Sequence, residues 1–289
     1  MPAESVIIPH YNDTRRLRRC LAALLAGDTA GAEILVVDNG STEPLDALKA
    51  EFATVRFIEE PKPSAASARN CGVRESRGGR LCFIDADCVP APDWLAAARR
   101  TTGDADIVGG AIDVFDETPG PRSGAEAFET VFAFNYRDYI ERKGFFVTAN
   151  LVTSRVVMEA VGPFTPGVSE DLEWCLRASD MGFRLALDEN LRVAHPTRAD
   201  WPALERKWLR IAREMFVMHS AAHPGAAGRF VWFLWALVMP ASIALHLPKI
   251  LLSPKLRGAG ERLRGAGTLV RLRFLRSWWM LRQALGASV

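Results

Sequence analysis

Apolar positions fall into two spacings along most of this chain. Short β-branched runs at 5–8, 33–38, 55–58 and 81–84 have the length and composition of buried strands. Between them, Leu17, Cys20, Leu21, Leu24 and Leu25 share one helical face, and Asp13 stands where it can cap that helix. Further helices are expected at 45–51 and 64–75. Strands alternating with helices at this spacing predict an α/β fold built of βαβ units, with a mostly parallel sheet and right-handed crossovers. Beyond it, the pattern predicts a helix from Pro92-Asp93-Trp94 to about Arg100 and strands at 106–110 and 112–115. One aromatic-rich helix over 126–142, a strand at 145–152 and helices at 155–161 and 169–181 follow, the last stopped by Gly182.

The C-terminal part has a different texture. Residues 230–247 form an uncharged stretch of about 18 residues, the short end of a membrane span. Over 269–285, arginines interleave with Leu272, Phe274, Trp278, Trp279 and Leu281, as in a basic amphipathic helix lying among lipid headgroups. A single crossing would carry these bases to the far side, against the positive-inside tendency. The expectation is therefore a domain over 1–204 and a helical, membrane-associating region over 205–289, seated as a monotopic or re-entrant hairpin on the cytoplasmic leaflet.

Charge supports that division. The net charge is only +2, yet from Lys249 onward Glu261 is the one acid among nine bases, so the rest of the chain is net acidic. A basic tail on an acidic body suits an anionic surface, and the apolar residues between its arginines favour a membrane over nucleic acid. Five cysteines, with no Cys-x-x-Cys spacing, read as reduced thiols rather than a disulfide framework or a zinc site. No signal peptide is recognised at the N-terminus, which places the expected catalytic body in the cytoplasm.

The chemistry concentrates where the run at 81–84 ends in Asp85-Ala86-Asp87-Cys88. Ligands of open α/β sheets bind beyond the carboxyl ends of the strands. Two carboxylates one residue apart repel each other and invite a hard cation, Mn²⁺ or Mg²⁺, which bridges to substrate phosphates. Cys88 is a poor ligand for such an ion.

Several stretches in this order and spacing resemble the family 2 glycosyltransferases of GT-A fold. They are Val6-Ile7-Ile8-Pro9-His10-Tyr11-Asn12, Val36-Val37-Asp38-Asn39-Gly40-Ser41, Ala68-Arg69-Asn70, Asp85-Ala86-Asp87 and Ser169-Glu170-Asp171. The segment from Ala149-Asn150 to Pro163-Phe164 looks like that family's acceptor side. The resemblance spans roughly residues 4 to 200 and implies a nucleotide-diphosphate-sugar donor. It implies donor contacts from Pro9, Tyr11, Asn12, Asp38, Arg69, Asp85 and Asp87, with Asp38 toward a uracil-type imide, Asp87 as direct metal ligand and His195 as a second candidate ligand. Asn150 and Glu170 fall on the acceptor side. Asp171 is expected to be the base that deprotonates the acceptor hydroxyl, which implies inversion at the anomeric carbon.

Glu205-Arg206-Lys207-Trp208 departs from the motif of processive relatives, so processivity is not carried over, although Lys207 or Arg210 could meet a diphosphate. The expected activity is metal-dependent transfer from a nucleotide sugar, UDP favoured, to a hydroxyl of a lipid or glycan acceptor in envelope or polysaccharide biosynthesis. Two other readings compete: an inactive membrane-bound nucleotide-sugar-binding module, and a sugar-phosphate nucleotidyltransferase. Intact Asp85, Asp87 and Asp171 speak against the first. The lack of a Gly-rich N-terminal loop speaks against the second.

Overall fold

The computed structural model describes residues 2–101 and 105–289, which form two compact units. One comprises the chain through Asp113 together with Phe134–His195; the other comprises Val114–Ala133 and Pro196–Val289.

The first unit begins with β1 (Glu4–His10), α1 (Thr14–Leu25), β2 (Glu33–Asp38), α2 (Asp46–Glu51), β3 (Arg56–Glu59), α3 (Ala65–Glu75) and β4 (Arg80–Ile84). As the sequence pattern predicts, Asp13 caps α1 through the backbone N–H of Arg16; Ser64, expected as the first residue of a helix, caps α3 instead through the backbone N–H of Ser67. Strands β3, β2, β1 and β4 are parallel, with His10 opposite Asp38 and Ile7 opposite Phe83. The carboxyl ends of β1, β2 and β4 therefore share one edge of the sheet. Helix α3 lies so close to it that a side-chain carbon added at Gly72 would stand 2.4 Å from Ile7.

Beyond β4 the sheet becomes mixed. It continues through β5 (Val89–Pro90), α4 (Trp94–Arg100), β6 (Ile107–Phe115), α5 (Gly124–Phe132), α6 (Tyr136–Lys143), β7 (Asn150–Ser154), α7 (Arg155–Val161), α8 (Glu170–Asp180) and β8 (Leu185–Pro196). The strand order is β3-β2-β1-β4-β7-β6-β8-β5. Strand β7 pairs antiparallel with β4 and β6, and β5 antiparallel with β8. Strands β6 and β8 are neighbours that run in the same direction, with the Ile107 N–H donating to the Arg184 carbonyl at one end and the Thr197 N–H to the Phe115 carbonyl at the other.

Three local expectations change. The strands expected at 106–110 and 112–115 merge into β6, because Gly109 and Gly110 stay extended where Phe146 and the Leu191 carbonyl press against them. The single helix over 126–142 breaks into α5 and α6, with Phe134 between them at a left-handed φ of 50°. The strand expected at 145–152 is displaced to β7.

The second unit is helical. It joins α5 to α9 (Trp201–Ala222), α10 (Gly225–Val238), a 3₁₀ turn (Met239–Ala241), α11 (Ser242–Leu251) and α12 (Gly258–Ala284). Helix α10 buries a narrow ridge of Gly228, Trp232 and Ala236, while Phe230, Leu234, Trp235, Leu237 and Val238 face outward. The run Gly225–Leu251 is long and apolar enough to cross a membrane by length and composition, and little of it is buried. Helix α12 spends much of its apolar stripe on its neighbours, burying Leu269, Leu272, Trp279 and Met280. The buried charge of Glu129 is met by Lys207 at 2.5 Å and by the backbone N–H of Arg198. Lys207 is therefore committed to Glu129. His219 donates its Nε2–H to the Gly228 carbonyl and packs among His223, Trp232 and Trp235, as a core histidine does.

Candidate active site

Apart from Lys207 and Arg210, which belong to the helical unit, the sequence-predicted site residues lie in the α/β unit. At the ends of β1 and β2, His10 Nε2 accepts the backbone N–H of Asp13, which leaves the ring proton on Nδ1 to be donated to Asp38 Oδ1 at 3.2 Å. The Ser41 hydroxyl donates to the same oxygen, and the Ser41 backbone N–H reaches Asp38 Oδ2. Asp38 is thus buried and oriented, with Oδ2 the less engaged atom. His10 and Ser41 hold it there, and sequence reasoning gave neither a role.

Asn12 has a left-handed φ of 47°, and its side-chain oxygen accepts the backbone N–H groups of Thr42 and Glu43 at 2.8 and 3.1 Å. It ties the loop after β2 to the loop after β1. Tyr11 beside it is 62% exposed, an aromatic face open to a ligand, and Pro9 is partly exposed at the same strand end.

Arg69, on the inward face of α3, joins two motifs distant in sequence. Its Nη2 donates to Asp85 Oδ1 at 2.6 Å and its Nη1 to Glu170 Oε1 at 2.7 Å, with the guanidinium almost wholly buried. Burial works against its charge, but Asp85 and Glu170 prevail and raise its pKa. Next to it, Asn70 exchanges two hydrogen bonds with the backbone of Phe164, fixing the chain that leads into α8.

Asp171, in the first turn of α8, accepts the Leu172 N–H and the Ser169 hydroxyl on Oδ1. Burial, with the adjacent Glu170 carboxylate, pushes its pKa up to about 6. The carboxylate is mostly ionised at neutral pH, yet basic enough to take a proton.

At the end of β4, Asp87 Oδ2 stands 3.3 Å from His195 Nε2, which β8 delivers against the ring of Phe134. Asp87, Cys88 and His195 form a cluster of metal-ligating type. Burial, reinforced by Asp87 and Asp85, raises the Cys88 thiol far above its usual range, and it donates to the Ala149 carbonyl. The usable donors are therefore one carboxylate and one imidazole, a set that suits Mn²⁺ better than a thiophilic ion. The Arg69 guanidinium faces Asp85, Glu170 and Asp171, while Asp87 stands beside His195, so the edge keeps surplus negative charge that a divalent cation would offset.

Asn150 differs from its acceptor-side expectation. It is wholly buried, accepting the Trp94 indole N–H and donating to the carbonyls of Ala111 and Leu191. With its amide fully engaged, it pins β7 to its neighbours and presents no polar atom to an acceptor. Glu170 is held by Arg69 and sets the start of α8, one residue before Asp171.

Residues 5–165 match the family described as Glycosyl transferase family 2. The glycosyltransferase AglE of Haloferax volcanii is 30% identical over 273 residues, covering 90% of this chain and 87% of the relative. The pre-mycofactocin glycosyltransferase of Mycobacterium tuberculosis is 27% identical over 75% of this chain, which spans 46% of that longer protein. Among solved structures, the mannosyltransferase PcManGT of Pyrobaculum calidifontis, in complex with GDP-Man and Mn²⁺, superposes with a TM-score of 0.57 at 17% identity, over 100% of this chain and 76% of that one. GalNAc-T7, with UDP, GalNAc and Mn²⁺, gives 0.54 at 18% identity, over 73% of this chain and 48% of that one. With the α/β architecture, the acidic strand ends and these relatives in agreement, the chain belongs to glycosyl transferase family 2 and is a glycosyltransferase of GT-A fold.

Proposed function

We propose that the sheet-edge site transfers a sugar from a nucleotide diphosphate, a UDP-sugar in the first instance, to a hydroxyl of a lipid or glycan acceptor with inversion at the anomeric carbon. The observation that carries this reading is Asp171, a single carboxylate with a pKa of about 6 in a helix that Arg69 ties to Asp85. Asp171 takes the proton of the acceptor hydroxyl as that oxygen attacks the anomeric carbon, and the nucleoside diphosphate departs on the opposite side. Asp87 and His195 would hold Mn²⁺ or Mg²⁺, which when bound stabilises the leaving diphosphate. Tyr11, Pro9 and Asp38 receive the base and ribose, and Asp85 faces the same side.

The outward apolar residues of α10 and α11 support seating on a membrane, at its cytoplasmic face, where a lipid-linked acceptor for envelope or polysaccharide synthesis would be met. The relatives bind different nucleotides by name, so the donor is tested directly. The full-length protein is incubated with UDP-, GDP- and dTDP-sugars, lipid acceptors and Mn²⁺, and NMR reads the anomeric configuration of any product. Transfer with inverted configuration that Asp171→Asn abolishes is the expected result. Retained configuration, or full activity in that variant, overturns the assignment of the base.

A further inference from the structure

We infer that Arg273 and Arg276 of α12, with Trp208 of α9, form a binding site for the phosphate headgroup of a membrane lipid. Both arginines lie toward the side of α12 that also buries Leu272 and Met280, and each is half-buried. Among the described residues, neither has a carboxylate within ion-pair distance, and the Nε of each is buried without a hydrogen-bond acceptor. The same unit treats other buried charges differently: Glu129 holds Lys207, and Glu261 holds Arg122. Burial, with Arg273 beside it, lowers Arg276 to about 10, so it remains charged at neutral pH. Two adjacent cations taken from water without a counter-charge call for an anion.

The geometry favours phosphate. The Arg276 guanidinium lies 4.5 Å over the Trp208 ring, which supports its face and leaves its N–H edge for planar, two-point contact with phosphate oxygens. Arg273 reaches the Met239 sulfur at 3.5 Å, at the end of α10. That contact places the pair beside the unit's apolar surface, where Leu237 and Val238 are exposed. On α12 itself, Phe274 and Trp278 flank Arg276 in sequence and are each 57% exposed. A charged pair bordered by outward apolar side chains fits an amphiphile, with its phosphate on the arginines and its chains along α10. The inference rests on the proposed membrane seating of this unit, not on the assignment of the catalytic residues.

The test measures flotation of the full-length protein with phosphatidylcholine vesicles, with and without phosphatidic acid. Wild-type protein should prefer the phosphatidic acid vesicles by about tenfold, a factor in keeping with charge-assisted two-point contacts. The Arg273→Gln/Arg276→Gln variant should lose that preference while binding nucleotide normally. Substituting Arg229 and Arg282 instead should leave most of it. Equal losses from both pairs would mean diffuse surface electrostatics and overturn the site. Inorganic pyrophosphate that displaces the vesicles and binds as tightly would mean a soluble ligand and overturn it too. A second readout needs no variant: short-chain phosphatidic acid should raise the wild-type Tm and short-chain phosphatidylcholine should not. Equal shifts from the two lipids would contradict the proposal even if the variant failed to fold.

Discussion

The two units carry surplus charge of opposite sign. At the α/β sheet edge, Arg69 answers Asp85 and Glu170, while Asp87 and Asp171 are left to a cation, an imidazole and desolvation. In the helical unit, Glu129 and Glu261 are matched by bases, but among the described residues Arg273 and Arg276 have no acid within ion-pair distance. Arg69, Glu129 and Glu261 are paired and structural, whereas Asp87, Asp171, Arg273 and Arg276 are the charges suited to ligands of opposite sign. Uncompensated charge costs stability, so its persistence points to binding or catalysis.

The largest expected effect separates these kinds of charge at one helix end. Asp171→Asn should lower kcat by about 10³ with little change in the donor KM, as loss of a general base does; steady-state kinetics with the cognate donor checks it. Breaking a structural pair should instead cost stability. Arg69→Met strands two carboxylates and should cost about 3 kcal/mol by chemical denaturation, with Arg69→Lys less severe. Lys207→Met should cost a similar amount by stranding Glu129, while leaving nucleotide affinity in the α/β unit unchanged.

The pH profile sharpens the same contrast. Since the folded pKa of Asp171 is about 6, kcat/KM should fall about tenfold per unit as pH drops below 6. For stability the sign is opposite to that of an ion-paired acid. The folded state holds this proton more tightly than the unfolded chain, whose carboxyl titrates near 3.8, so the penalty for ionised Asp171 is complete above pH 6. It fades as pH falls from about 6 toward 4. Asp171→Asn should therefore raise stability by roughly 1 kcal/mol at pH 8 and leave it nearly unchanged at pH 4, the smallest of these effects.

Much of the α/β half was legible because its signals are local. Alternating runs, Asp13 as a cap, and carboxylates at strand ends each depend on a few neighbouring residues. The mixed half of the sheet was less so. The long β8 strand went unassigned, although Leu191, Val193 and His195 alternate inward along it. Phe134 breaks a helix without glycine or proline to announce it.

In the site, residue types were legible but partners were not. Arg69 meets carboxylates 16 and 101 residues away, and only the fold reveals that one guanidinium joins both. Asn150 looks like a contact for a ligand in sequence, yet a buried amide satisfied by Trp94, Ala111 and Leu191 is a property of the packed sheet. The interleaved arginines of α12 suggest an outward basic face, but Arg273 and Arg276 turn toward the bundle.

The most direct test of the central claim, that the surplus acids at the sheet edge form a metal-assisted nucleotide-sugar site, is calorimetric titration of UDP, GDP and dTDP into the detergent-solubilised protein. Each is titrated with and without Mn²⁺, into wild type, Asp87→Ala and His195→Ala. Binding of one nucleotide that requires Mn²⁺ and weakens about a hundredfold without Asp87 is the predicted result. Binding that is indifferent to both Mn²⁺ and Asp87, or no binding by the folded protein, would contradict it.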